Sequence, residues 1–421
     1  MKRTLRQDIS KMRLRAASAT LILTILLLAA ASPYTQAQTF NVLYKFAGAT
    51  DGANPYGGLV RDKAGNLYGT TASGGANGYG TIFELTPNSG DWTHSVLYSF
   101  TGGANGGSPS SSLIFDGAGN LYGTTPPLGG SNAGTVFELA TTSDGWVQSV
   151  LYAFTGYNGG GSEPLASPTL GKDGRLYGTT SAGGLDNAGI VYALTKTSGG
   201  WSEKTVYSFT GTSGGSPSDA VIFDSAGNLY GTTYDGGGSA DGGTVFELLR
   251  GSWKDKTLYV FQCGLRGCQT GDAGNPEAGL VMDSSGNLYG ASRSGGVYGH
   301  GAIFKVAALA GGKWKESVLY SFKGGPGDGD QPFGTLVFDK SGNLYGTAGG
   351  GYAGVVFKLA PVSGGRWRET IIHRFIVSDG DGPEAGLTID AKGNLYGTTG
   401  GGGNPGCSNN FGCGVVYEIT P

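Results

Sequence analysis

Short runs in which apolar and polar residues alternate recur along the chain with turn residues between them. A period of two sends alternate side chains to opposite faces and marks a half-buried strand. The first full set of four runs covers residues 59–62, 66–71, 81–85 and 92–100. Beyond residue 37 no stretch carries the 3.6-residue period of an amphipathic helix. The set then repeats. A Gly-Asn-Leu-Tyr-Gly core begins at Gly65, Gly119, Gly227, Gly286, Gly342 and Gly393, and a variant with Arg175 in place of Asn begins at Gly174. Ten residues before each core stands a proline: Pro55, Pro109, Pro164, Pro217, Pro276, Pro332 and Pro383. Seven units of roughly 50 residues, each with four antiparallel strands, predict an all-β, seven-bladed β-propeller of four-stranded blades.

The two ends of the chain bear on how such a ring closes. Val42-Leu43-Tyr44-Lys45-Phe46 matches the fourth strand of the first unit, Val96-Leu97-Tyr98-Ser99-Phe100, yet precedes that unit, whereas the last unit stops after a third strand at residues 414–420. The N-terminal strand is therefore expected to complete the seventh blade and remove the open edges of a linear array. Six tryptophans, at 92, 146, 201, 253, 314 and 367, each lie eight residues before a phenylalanine, and Gln38 holds the seventh place. This aromatic comb reads as packing between blades in preference to a sugar-binding row. Between the first and second strands runs Asp-x-x-Gly, as in Asp62 to Gly65, where Asp caps a turn and Gly supplies positive φ. The third unit departs, with Gly171 and Arg175 in place of Asp and Asn.

The whole pattern, P-x-x-x-L-x-x-D-x-x-G-N-L-Y-G-T-T followed by a glycine loop and G-T-V-F-E-L, resembles the Gloeo/Verruco tandem repeat of bacterial exported proteins, also called choice-of-anchor GloVer-containing proteins. Its turn is similar to that of NHL-type propellers. The resemblance implies an extracytoplasmic propeller and brings no settled activity with it.

Export is also expected from the residues themselves. Six basic residues between Lys2 and Arg15 precede an apolar run at 16–31 and Thr35-Gln36-Ala37, the layout of a signal peptide over 1–37, with the propeller over 38–421. Loss of residues 1–37 removes the six basic residues and Asp8, so the formal charge moves from −3 to −8. An acidic protein without clustered Lys and Arg is not built for phosphate backbones, so no nucleic-acid partner is expected. In an oxidising compartment the two close pairs Cys263 with Cys268 and Cys407 with Cys413 read as disulfides, since the spacings do not suit zinc.

Loops of variable length, at 157–163, 263–275, 324–331 and 401–413, fall on the face opposite the tight turns. Carboxylates and amides gather beside the prolines there: Asp51, Asn54, Glu163, Asp272, Asn275, Glu277, Asp328, Asp330, Asp379, Asp381 and Glu384. Such a group can hold a cation, hydrogen-bond a sugar, or solvate the loops. Catalytic motifs are absent, because the lone G-x-S-x-G at 211–215 lacks a strand-to-helix elbow. The expected function is a binding module for an extracellular glycan or protein, with no evident catalysis; it is expected to be monomeric and to need no cofactor or metal. The alternative is an extracytoplasmic hydrolase or lactonase with a metal or carboxylate site at the channel mouth.

Overall fold

The computed structural model describes residues 38–420 apart from 129–132, 157–158, 265–270, 326, 351–352 and 408–410. The expected leader and Cys268 lie outside the described residues. Residues 40–420 form one compact unit.

Seven four-stranded sheets make the ring. The first blade is built from Val60–Arg61, Leu67–Thr71, Thr81–Asn88 and Asp91–Ser99, hydrogen-bonded in that order. The seventh sheet runs Thr39–Lys45, Val415–Thr420, Leu395–Thr399, Thr388–Ile389. The strand at the start of the chain thus supplies the outer strand of the last blade, as the match between the chain ends predicts. Past that strand, the Phe46 N–H donates to the Gly414 carbonyl at 3.1 Å.

Within a blade the second strand is buried along its whole length. Its glycine lets the third-strand aromatic lie flat against the backbone: a Cβ on Gly69 would stand 2.6 Å from Phe83 Cζ, and one on Gly346 equally close to Phe357 Cζ.

Three sets of contacts tie the blades together around the ring. The phenylalanine after each fourth strand meets the third-strand aromatic of the following blade edge-on, at centroid distances of 4.9 to 5.3 Å, in all seven interfaces. The Phe46–Phe83 pair closes the set. Each such pair adds about 0.5–1.5 kcal/mol beyond its burial. The tryptophans pack the outer seam: Trp92, Trp146, Trp253 and Trp367 each face the core tyrosine of the preceding blade, Tyr396, Tyr68, Tyr177 and Tyr289.

The second set uses the threonine after Leu-Tyr-Gly. Thr70, Thr124, Thr179, Thr232, Thr347 and Thr398 each donate Oγ1–H to a carbonyl of the next blade, at Ser111, Ala166, Asp219, Ala278, Ala385 and Gly57, over 2.9 to 3.3 Å. Ala291 stands at this position in the fifth blade, so the rung between blades five and six is missing.

In the third set, the residue before each proline adopts left-handed φ, as at Asn54 (59°) and Asn275 (51°), and turns its N–H to a carbonyl of the preceding blade. The proline ring then rests on that blade's glycine; a Cβ on Gly414 would lie 2.5 Å from Pro55 Cδ.

The Asp-x-x-Gly turns are fully engaged. Asp62 accepts from the N–H groups of Gly65 and Asn66, from the Asn66 amide, and from the Tyr68 hydroxyl. In the third blade Asp173 takes over the bond to its tyrosine, Tyr177, at 2.8 Å.

Candidate functional site

The innermost strands are only two residues long, so the three residues after each proline form the wall of the central channel. They enclose a cavity of about 400 Å³ to which every blade contributes. The first of the three residues makes an uneven rim: Tyr56, Ser110, Leu165, Ser218, Glu277, Phe333 and Glu384. The second is small in six blades and is Asp219 in the fourth.

Charge is concentrated on one side of this rim. Arg293, from the loop after the second strand of blade five, meets Glu277 at 3.3 Å and lies over the Phe333 ring at 5.3 Å. Burial pushes the Glu277 carboxyl up, the Arg293 guanidinium opposes this, and the Asp219 charge adds to it. Glu384 is pushed up by burial and by Glu277, with Arg293 pulling the other way and Asp381 adding to the rise. Two rim carboxylates, Glu277 and Glu384, therefore share one guanidinium. Asp219 accepts from the Ala220 N–H, from the Gly279 N–H of blade five and from Thr335 Oγ1 of blade six at 2.9 Å. It spans the seam where the threonine rung is missing, and burial raises its carboxyl despite these bonds.

Of the residues singled out in the sequence, Glu277 and Glu384 line the channel and Asp381 acts on Glu384 from nearby. Asp51, Asp272, Asp328 and Asp379 lie elsewhere, each accepting from the N–H of the residue after a blade-closing phenylalanine, at Ala47, Gln262, Lys323 and Ile376. Asp51, Asp272 and Asp328 also take a hydroxyl from Tyr44, Tyr259 and Tyr320, while Asp379 sits 3.5 Å from His373. Asn54 and Asn275 spend their amides on the preceding blade, donating to the carbonyls of Gly400 and of Tyr234. Glu163 accepts from Ser181, and Asp330 pairs with His300 at 3.2 Å. Cys407 and Cys413 form a disulfide in the last loop. Among the described residues no three His, Cys, Asp or Glu side chains are grouped to hold a metal ion.

Tyr56, Phe333, Arg293 and Asp219 were not legible as site residues one at a time. Asp219 had a signal nonetheless, being the one charged residue in its column of seven.

Two blade interfaces carry a second acidic pairing with consequences for stability. Glu316 and Glu369 each bury an oxygen, Oε1, that has no hydrogen-bond partner. Glu316 is pushed up to about 8 by burial, then by the charge and hydrogen bond of Asp272, against Lys315. Glu369 is pushed up to about 7 by burial and the Asp328 charge, against Arg374 and Lys323. The folded protein then holds protons that an unfolded chain has released, so these groups cost stability as pH rises from about 4.5 to about 8. The turn carboxylates Asp116, Asp224, Asp283 and Asp339 act oppositely. Burial raises them, but their hydrogen bonds win and leave them lowered, so their contribution is lost only below the ordinary carboxylate range. The thermal midpoint is expected to fall between pH 5 and pH 8, and Glu316→Gln to reduce that fall and raise the midpoint at pH 8. Thermal scans of both proteins at the two pH values check this; an equal fall in both would refute the assignment to Glu316.

In architecture the chain is similar to YCF48 from Cyanidioschyzon merolae, at 12% identity and a TM-score of 0.53, covering 91% of this chain and 99% of that one. It is similar also to a 6-phosphogluconolactonase candidate from Bacteroides fragilis, at 12% identity and a TM-score of 0.51 over 84% and 98% of the two chains. A third, the PQQ-bound aldose sugar dehydrogenase from Streptomyces coelicolor, has 11% identity and a TM-score of 0.42 over 91% and 98%. At these identities the likeness concerns the fold alone. No curated protein matches the chain. The profile of the Gloeobacter/Verrucomicrobia repeat matches three times in succession, over residues 31–162, 141–270 and 264–421, and the chain belongs to that family.

Proposed function

We propose that the protein is an exported binding module whose channel mouth takes the end of a neutral or amine-bearing glycan. One observation carries this reading: two aromatic rings, Tyr56 and Phe333, and two carboxylates, Glu277 and Glu384, line a single cavity of about 400 Å³. Aromatic faces pack against the C–H faces of sugar rings, and carboxylates accept paired hydroxyls in charge-assisted hydrogen bonds. The cavity lies within the size range of small-molecule sites, roughly 300–1,000 Å³. Its excess of carboxylate over guanidinium disfavours acidic sugars here and suits hydroxyls or an ammonium. Export is supported by the Cys407–Cys413 disulfide. No helix of the described residues is long and apolar enough to cross a membrane.

A glycan array probed with the full chain tests the reading. Retention on neutral or amino sugars is expected, and Glu384→Gln should weaken it about tenfold or more, the effect of losing a hydrogen bond of about 1.5–3 kcal/mol to a charged acceptor. Tyr56→Ala should do the same with the unfolding midpoint unchanged. Retention that is indifferent to both substitutions would sink the channel assignment, and consumption of the retained glycan would move the reading to a hydrolase.

A further inference from the structure

The third unit is the one whose turn breaks the repeat, and the cleft beside it, on the face opposite the channel mouth, differs in character from its neighbours. Between the turns of blades three and four lies a cavity of about 370 Å³. Lys172, Arg175, Lys204 and Arg250 line it, together with Trp253 and Phe223. This is an unusual gathering for a chain of net charge −3. The corresponding cleft between blades four and five supplies an internal contrast, because it is lined by Asp224 and Asp283 and by no lysine or arginine.

Two carboxylates, Asp173 and Asp224, stand among the four cations and leave an excess of two positive charges. Asp224 is taken by the Asn228 amide and the Tyr230 hydroxyl. Asp173 accepts from Tyr177, and its ion pair with Arg175 is 3.8 Å long with both side chains more than 40% exposed, so it contributes little. Arg250 spends one nitrogen on the Ala226 carbonyl at 3.3 Å and keeps further donors free in number.

Trp253, besides packing the blade seam, supplies an aromatic wall to the cleft. It has φ of +51°, a conformation that a bulky residue adopts only when its surroundings impose it. The third strand of this blade stops at Leu249, and the Trp253 N–H folds back to the Leu249 carbonyl at 2.7 Å. One side of the indole meets Tyr177 at 5.8 Å. The ring is only partly buried, and it forms a wall of the cleft.

We propose that this cleft binds a sugar bearing an anionic group, with the ring against Trp253 and the carboxylate, sulfate or phosphate among Arg175, Lys204 and Arg250. Guanidinium groups match such anions in a two-pronged geometry, and an aromatic wall holds the sugar face. The site is independent of the channel, carries the opposite charge and selects the opposite class of saccharide.

Calorimetric titration of the full chain at low salt with glucuronic acid, glucose 6-phosphate, glucose and inorganic phosphate tests it. Both acidic sugars are expected to bind, the tighter of the two identifying the anion; glucose should not bind, and inorganic phosphate should bind at least tenfold more weakly than the better sugar. The exposed double variant Lys204→Ala/Arg250→Ala should lower acidic-sugar affinity at least tenfold, while Glu384→Gln in the channel leaves it unchanged. The proposal is overturned if neither acidic sugar binds, if the double variant binds them as the parent does, if inorganic phosphate binds equally tightly, or if Glu384→Gln abolishes binding.

Discussion

A chain shortened to begin at Gly48 is expected to lose its single cooperative unfolding transition and to aggregate. The deleted strand, Thr39–Lys45, is the outer strand of the seventh blade. Phe40 stacks on His373 at 3.6 Å, and Phe46, with no exposed surface, packs edge-on against Phe83 of the first blade at 5.2 Å. Without them Val415–Thr420 becomes an open edge whose Val415, Val416, Tyr417 and Ile419 are otherwise sealed from solvent. Unpaired apolar edges of that kind recruit other chains. The single substitution Phe46→Ala isolates part of the effect and should cost about 3–5 kcal/mol, a large share of a typical domain's stability of about 5–15 kcal/mol. Denaturant titration reads both variants; a shortened chain that unfolds cooperatively at the parent's midpoint would contradict the account.

The second large effect is expected at the blade boundary. Gly414→Ala drives a Cβ into the Thr399 carbonyl oxygen of its own blade and to 2.5 Å from Pro55 Cδ of the next, while φ stays at +88°. The backbone conformation alone costs an alanine about 1–2 kcal/mol, and forcing extra volume into a packed contact adds about 1–3 kcal/mol. Gly393→Ala is the matched control. Its φ is +94°, but nothing lies within 4 Å of the added carbon, so only the conformational cost applies. Gly414→Ala should therefore destabilise by clearly more than Gly393→Ala. Equal losses would mean that neither the Thr399 carbonyl nor the Pro55 ring packs tightly on Gly414.

The fold was legible because a strand alternation repeated seven times leaves few ways to bury its apolar faces. Even the closure was legible, since residues 42–46 and 96–100 carry the same pattern in different places. The site was less so. Residues around the prolines lie close in sequence but not in space: Asp51 and Asp272, four before their prolines, turn back to cap their own loop, whereas Glu277 and Glu384, one after theirs, line the channel. Five residues along the chain separate a loop cap such as Asp272 from a rim residue such as Glu277, and alternation cannot resolve that. Threonines of the Gly-Thr-Thr motif were visible as repeats, yet their bonds to the next blade depend on how two blades approach. The departures proved the better guide. Asp219 among small residues, Ala291 among threonines, and Gly171 with Arg175 in the third turn each mark a place where the ring departs from its own symmetry.

Closure of the ring by its first strand is the claim on which the channel, its mouth and the blade seams all rest, and amide hydrogen exchange on the intact protein reads it directly. Residues 39–46 should be protected to the same degree as residues 91–99, the equivalent outer strand of the first blade, and Val415–Thr420 should be protected with them. Exchange of residues 39–46 at the rate of an unstructured peptide, with Val415–Thr420 behaving as a free edge, would contradict it.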